Sequence, residues 1–124
     1  MNTEQFLIQS SKQTLNDNCD CNRNAFLAWQ HLESLPNSLT FIGEFEHKED
    51  SIKENGYSEY HPAGTSYWSK EAPIAIYFYP YHECRIYQCR NCSALFLHYT
   101  EHGGHGSEKR LRWVNPKLVN EHNR

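Results

Sequence analysis

Five cysteines and eight histidines in 124 residues are the side chains of this sequence best equipped for chemistry. Cys89-x-x-Cys92 carries the strongest signal, because it sits between two strand-like segments. A tight turn with a thiolate at each end presents both sulfurs to one ion, and the flanking strands clamp the geometry in the manner of a zinc knuckle. That pair supplies half of a tetrahedral site. Cys19-x-Cys21, in a run of small polar residues from Asn16 to Asn22, is the best pair to complete it. A structural Zn2+ held by Cys19, Cys21, Cys89 and Cys92 would tie the N-terminal region to the later strands, and metal binding of this kind is coupled directly to folding. Cys84 fits less well: five residues along an extended strand put it about 16 Å from Cys89. The competing reading is that the thiols are simply buried, since free cysteine is among the most buried residue types. A thioredoxin-like role is disfavoured, because that chemistry places Cys-x-x-Cys at a helix start, whereas strand-like Leu95-Phe96-Leu97 follows here.

His98-Tyr99-Thr100-Glu101-His102 matches the H-x-x-E-H pattern of inverted zinc peptidases. The reaction needs a helix, so that both histidines share a face beside the glutamate. Here the motif begins in an apolar strand and runs into Gly103-Gly104, so a zinc-dependent hydrolase on His98, Glu101 and His102 is the weaker alternative. The zinc deaminase signature is incomplete, because His82-Glu83 lacks the intervening residue and no proline precedes Cys89. No nucleophile elbow, phosphate-binding loop or dinucleotide fingerprint occurs.

The elements that must position these residues follow from pattern. Asn2 or Thr3 caps a first helix reaching about Leu15. Ala25, Ala28, Trp29, Leu32 and Leu35 recur at three- and four-residue spacings after Asn22 or Asn24, predicting a second helix that Pro36 ends. Ser38–Phe45 alternates as a strand. Glu46–Ala72 is a long polar and aromatic connection, and such segments tend to be functional or mobile. Within it, the aromatics of His61–Ser69 either anchor a partner or cover the sheet, with covering slightly favoured. Ile74–Tyr79 reads as a strand stopped by Pro80. Arg85–Cys89, Leu95–Tyr99 and Arg110–Val114 then form a meander whose last two strands join through His102-Gly103-Gly104-His105-Gly106. Leu118 and Val119 pack before a polar tail. The expected architecture over residues 1–124 is a single α+β domain, N-terminal helices on a mainly antiparallel sheet with a knuckle-like Cys-x-x-Cys hairpin.

A chain with 38% hydrophobic and 14% aromatic residues folds rather than staying disordered. No run of apolar residues is long enough to span a bilayer, and the N-terminus lacks the pattern of a signal peptide, so a cytoplasmic protein with no membrane partner is expected. The net charge of −3 hides an asymmetry: residues 1–62 sum to −6 and residues 63–124 to +3. Glu44, Glu46, Glu49, Asp50, Glu54 and Glu59 carry much of the acid. They form either an ordinary solvated loop or a surface that attracts a basic partner. A nucleic-acid binder has the opposite balance. Lys109-Arg110-Leu111-Arg112 is a short basic cluster, which leaves a small zinc module binding nucleic acid as a third, weaker reading.

Tyr87-x-Cys89-x-x-Cys92, Phe96, Tyr99-Thr100-Glu101, Gly103-Gly104, Arg110-x-Arg112 and Pro116-x-Leu118 together resemble the small immunity proteins of bacterial polymorphic toxin systems, including contact-dependent growth inhibition systems. Trp68 and Pro73-Ile74-Ala75 extend the pattern upstream, and the similarity covers about the second half of the chain. The resemblance implies a cytoplasmic, non-catalytic protein, monomeric or weakly oligomeric, that binds a cognate toxin C-terminal domain and covers its active or substrate-binding site. Many such toxins are nucleases. The pattern defines no toxin-contact residues, so Glu44, Glu46, Glu49, Asp50, Glu54 and Glu59 are the candidates from charge alone.

Overall fold

The computed structural model describes residues 1–14, 16–103 and 106–122. Helix α1 (Thr3–Ser11) begins at Asn2, whose side chain accepts the Gln5 N–H while the Gln5 side chain accepts the Asn2 N–H. This reciprocal box satisfies two donors that a helix start leaves open. Lys12 ends the helix by donating to the Ile8 and Gln9 carbonyls, short of the expected end at Leu15, which lies outside the described residues.

The expected second helix does not form. Arg23–Phe26 make one 3-10 turn, and Gln30–His31 form a short strand, β1. Tertiary partners explain the difference. Trp29, 1% exposed, is drawn among Tyr67, Tyr81 and Tyr99. The Leu27 carbonyl accepts from Arg112 Nε, while Gln30 and His31 sit opposite Leu111 and Arg110. Backbone groups that would have closed helical turns are engaged by the sheet instead, and packing overrides a weak propensity.

Strand β2 (Leu39–Glu44) matches its expected position. The long acidic connection then holds an unexpected helix, α2 (Lys48–Asn55), closed by the Gly56 N–H on the Ile52 carbonyl. Strand β3 (Ile74–Ala75) is shorter than predicted, because the Phe78 N–H turns back onto the Ala75 carbonyl ahead of a cis Tyr79–Pro80 bond and a 3-10 turn at Tyr81–Glu83. Strands β4 (Arg85–Cys89), β5 (Leu95–Gly103) and β6 (Gly106–Trp113) form the expected meander. Gly104 and His105 of its glycine-rich turn lie outside the described residues. Strand β7 (Val119–Asn120) pairs in parallel with β3 as a separate ribbon.

The main sheet is antiparallel throughout, in the order β1-β6-β5-β4-β2. Side chains alternate across it. Ile86, Leu95, Leu97 and Tyr99 face a core closed by Phe6, Trp29, Ile74, Ile76 and Tyr81. Cys89, Phe96, Leu111 and Trp113 face a second core closed by Cys21, Cys92 and the partly buried Phe26, Leu27, Leu32 and Leu35. Cys19, Cys21, Phe26, Leu27, Leu32 and Leu35 therefore cover the second face, and this brings the two cysteine pairs together. Among the described residues the fold is α+β, with two helices and an antiparallel five-stranded sheet.

Candidate functional site

The cysteine cluster is assembled by two turns. The first runs through Cys19 to Asn22, where the Asn22 N–H donates to the Cys19 carbonyl at 3.1 Å and Asn22 takes a left-handed conformation (φ 55°). The second joins β4 to β5: the Ser93 N–H donates to the Cys89 carbonyl at 3.0 Å, the Cys89 N–H to the Ala94 carbonyl at 2.8 Å, and Ser93 is left-handed (φ 67°). Asn91 Nδ2 donates to Asp20 Oδ1 at 3.0 Å and pins one turn on the other. Gln13 secures the approach. Its amide oxygen accepts from the Leu95 N–H and Trp113 Nε1, and its nitrogen donates to the Val114 and Ser10 carbonyls. A glutamine in a polar run offered no periodic signal, and its role depends on contacts 82 to 101 residues away.

The sulfurs of Cys19, Cys21, Cys89 and Cys92 all lie within 4.8 Å of one another. The Cys19–Cys89 and Cys21–Cys92 pairs approach to 3.6 Å. Four sulfurs tetrahedrally placed about 2.3 Å from a zinc ion are about 3.8 Å apart, so the set needs only small side-chain rotations to close on one ion. Cys21, Cys89 and Cys92 are buried and Cys19 is half-buried. Among the described residues this is the one group of His, Cys, Asp and Glu side chains gathered closely enough to hold a metal ion.

Electrostatics distinguishes the four thiols. Burial opposes ionisation of Cys89, but the Ser38 hydroxyl and the N–H groups of Asn91 and Cys92 point at its sulfur and bring it down to about 7. Cys21 is pushed well up by burial and by its neighbouring sulfurs. At Cys19 the Cys21 N–H favours the thiolate, yet burial and the sulfurs of Cys92 and Cys89 outweigh it and raise the group. One thiolate forms readily, and its charge then resists the next. A bound cation reverses that repulsion, which is the chemistry expected of a thiolate metal site. Cys84 lies apart in the other core, fully buried, with its thiol donating to the Pro80 carbonyl at 3.2 Å. Burial raises it far above an ordinary thiol.

The H-x-x-E-H residues lie along β5, not on a helix. Alternation puts His98 and His102 on one face of the sheet and Glu101 on the other. His98 is buried with Nδ1 on the Arg110 carbonyl at 2.9 Å, and Glu101 accepts a hydrogen bond from the Tyr79 hydroxyl. The basic cluster is divided in a similar way. Arg112 is 1% exposed and donates to the carbonyls of Leu27, Lys70 and Ala72 and to the Tyr81 hydroxyl. Arg110 lies over Trp68 and donates to the Tyr67 and Tyr99 hydroxyls. Tyr67 thus covers the sheet, stacking on Trp29, while Trp68 stays 56% exposed. Zinc-peptidase geometry is not assembled, and one of the three basic side chains is withdrawn from solvent.

At the end of the sheet remote from the cysteines, acidic residues converge. Strand β4 leads from Cys89 back to Arg85, a span of about 13 Å. Beside Arg85 a groove of about 380 Å³ is lined by Glu44, Lys48, Ile52, Glu83, His98 and His102, among others. It shares Glu83, Thr100 and His102 with a second groove of about 390 Å³ that adds Tyr57, Glu59, Tyr79 and Glu101. Burial raises Glu83, with Lys48 opposing and Glu101 adding to the rise. Tyr57 is 83% exposed at the rim, its ring edge-on to Tyr79. Glu44, Glu46, Glu49 and Asp50 line a further depression at the start of α2 with Lys48, which pairs with Glu44 at 3.1 Å. Glu54 is exposed later on the helix, and Glu59 pairs with His61 at 2.6 Å.

No known protein family, curated protein or solved structure matches this chain. Among the described residues no helix is long and apolar enough to cross a membrane.

Proposed function

We propose that the chain is a non-catalytic immunity protein that binds and neutralises a cognate nuclease toxin domain, and that Cys19, Cys21, Cys89 and Cys92 hold a structural Zn2+. The observation that carries the functional part is the acidic surface at the start of α2 together with the groove where Tyr57 and Tyr79 meet Glu59, Glu83 and Glu101, at the opposite end of β4 from the cysteines. A nuclease must bind a polyanion and so presents a basic cleft. Carboxylates grouped beside exposed Tyr57 and Ile52 suit that cleft in charge, and aromatic side chains suit it as anchors. Four cysteine ligands leave no position open for substrate, which favours a structural metal over a catalytic one. Zinc is the metal best matched to four thiolates in a tetrahedral set. The His98, Glu101 and His102 hydrolase reading gains no support from residues spread across both faces of a strand.

The experiment follows from the resemblance, which places the toxin gene immediately upstream. Co-expression should rescue cells from that toxin, and the purified pair should associate rapidly at low salt. Reversing Glu46, Glu49 and Asp50 to Lys should slow association about tenfold or more and flatten its salt dependence. Unchanged kinetics would remove the acidic surface from the proposal, and failure to bind or rescue would remove the immunity reading itself.

A further inference from the structure

The four sulfurs approach one another in a crossed pattern. Cys19 meets Cys89 and Cys21 meets Cys92, each pair at 3.6 Å and each joining segments 70 or 71 residues apart. A pairing within each motif would instead require Cys19 and Cys21 to close on each other across one residue. Cys19 is half-buried, so a small oxidant reaches the cluster from that side, while Cys21, Cys89 and Cys92 are shielded.

We propose that this cluster is an exchangeable staple: a peroxide converts the metal-bound thiolates into two disulfides, Cys19–Cys89 and Cys21–Cys92, so that two covalent links replace the metal link at the same place in the fold. The inference rests on the zinc reading for its starting state. In the first step the Cys19 thiolate attacks a peroxide oxygen, the O–O bond breaks, and hydroxide leaves a sulfenic acid on sulfur. The Cys89 thiolate then attacks that sulfur and expels a second hydroxide as the S–S bond forms. Cys21 and Cys92 repeat the sequence with a second peroxide. Four thiolates lose four electrons, two peroxides gain them, and four solvent protons complete four waters as Zn2+ departs. Both new bonds tie the Cys19–Cys21 turn to the β4–β5 turn, as the metal does, so the sheet and the acidic grooves at its far end persist after the metal is lost.

The test titrates the zinc-loaded protein with hydrogen peroxide while a chromogenic chelator reports free zinc, then alkylates the remaining thiols and maps the peptides. Trypsin cuts after Arg90, between Cys89 and Cys92, and a protease cutting before Asp20 separates Cys19 from Cys21, so each pairing gives a distinct mass. The expected result is complete zinc release with two peroxides consumed per zinc, crossed Cys19–Cys89 and Cys21–Cys92 peptides, and Cys84 recovered as the alkylated thiol. The oxidised protein should keep a cooperative melting transition well above that of the reduced, metal-free chain. Cys89–Cys92 peptides, sulfinic acid products, intermolecular links, no reaction with peroxide or loss of the transition would each overturn the proposal. If the protein takes up no zinc, the metal reading fails separately, and the crossed pairing is still read on the reduced, metal-free protein treated in the same way.

Discussion

Stripping metal from the site proposed at the cysteine cluster should cost a large part of the domain's stability. The centre links residues 70 or 71 positions apart in sequence, between the turn over the second core and the β4–β5 turn. Treated as a cross-link that restricts the unfolded chain, closure of a loop of that length is worth about 4 kcal/mol. A domain of this size has a total stability of roughly 6–19 kcal/mol, so removal is a major loss but need not abolish folding. The corresponding fall in Tm is roughly 15 °C. The figure is a lower bound at saturating metal, because coordination adds binding free energy beyond the entropic part. The assay is thermal unfolding of the metal-loaded protein before and after treatment with a strong chelator, with metal content measured in both samples. Cys92→Ser should melt low whether or not chelator is present, whereas Cys84→Ala should retain the full response, since Cys84 lies in the other core. A verified metal-free protein that melts within about 3 °C of the loaded form would refute the cross-link argument.

Metal affinity should fall steeply with acidification. Each thiol that enters the site protonated gives up its proton on binding, so affinity falls by up to about 10⁴-fold per pH unit, and the slope eases above about pH 7, where Cys89 is already largely ionised. Competition with a chromogenic chelator across pH 6–8.5 reads the slope, and a value near one would contradict four thiolate ligands. His47, His82 and His98 are all lowered by burial, which favours their neutral forms in the fold. Their contribution is therefore full above the ordinary histidine value near 6.5 and is lost as pH falls below it. Urea midpoints measured between pH 7.5 and 5 with chelator present throughout should decline, and a flat profile would count against neutral burial. Arg112→Met should destabilise by about 3 kcal/mol or more, because the carbonyls of Leu27, Lys70 and Ala72 lose their donor at about 1–3 kcal/mol each, partly offset by removal of a buried charge. Chemical denaturation checks this, and a variant as stable as the parent would show that the carbonyls find other partners.

Several features were legible because their information is local. Asn2 with Gln5 three residues on is a cap wherever a helix follows. Alternation marked the strands at Arg85–Cys89, Leu95–Tyr99 and Arg110–Val114, and the Cys-x-x-Cys spacing marked their turn as one half of a cysteine cluster able to hold a metal ion. Helix α2 had readable signals that the acidic composition obscured: Glu49 and Asp50 in its first turn, Lys53 in its last and Gly56 behind it. The spacing of Ala25 to Leu35 misled for a physical reason. Apolar residues three and four apart serve a helix face, but here Trp29 enters one core while Phe26, Leu27, Leu32 and Leu35 line the other.

The sequence by itself determined which side chains could bind a metal and which segments would pair as neighbours, since ligand chemistry and strand periodicity are properties of a few adjacent residues. Tertiary structure alone decided which pairs met. Cys19 and Cys21 reach Cys89 and Cys92 only because the segment that carries them packs Phe26, Leu27, Leu32 and Leu35 on the same face of the sheet as Cys89 and Cys92. Arg112 leaves the solvent because Leu27, Lys70 and Ala72 surround it with carbonyls. Glu59, Glu83 and Glu101 share a groove although 42 residues separate the first from the last. These are encounters across a folded chain, and their stabilisation exists only after the entropy of closing long loops has been overcome.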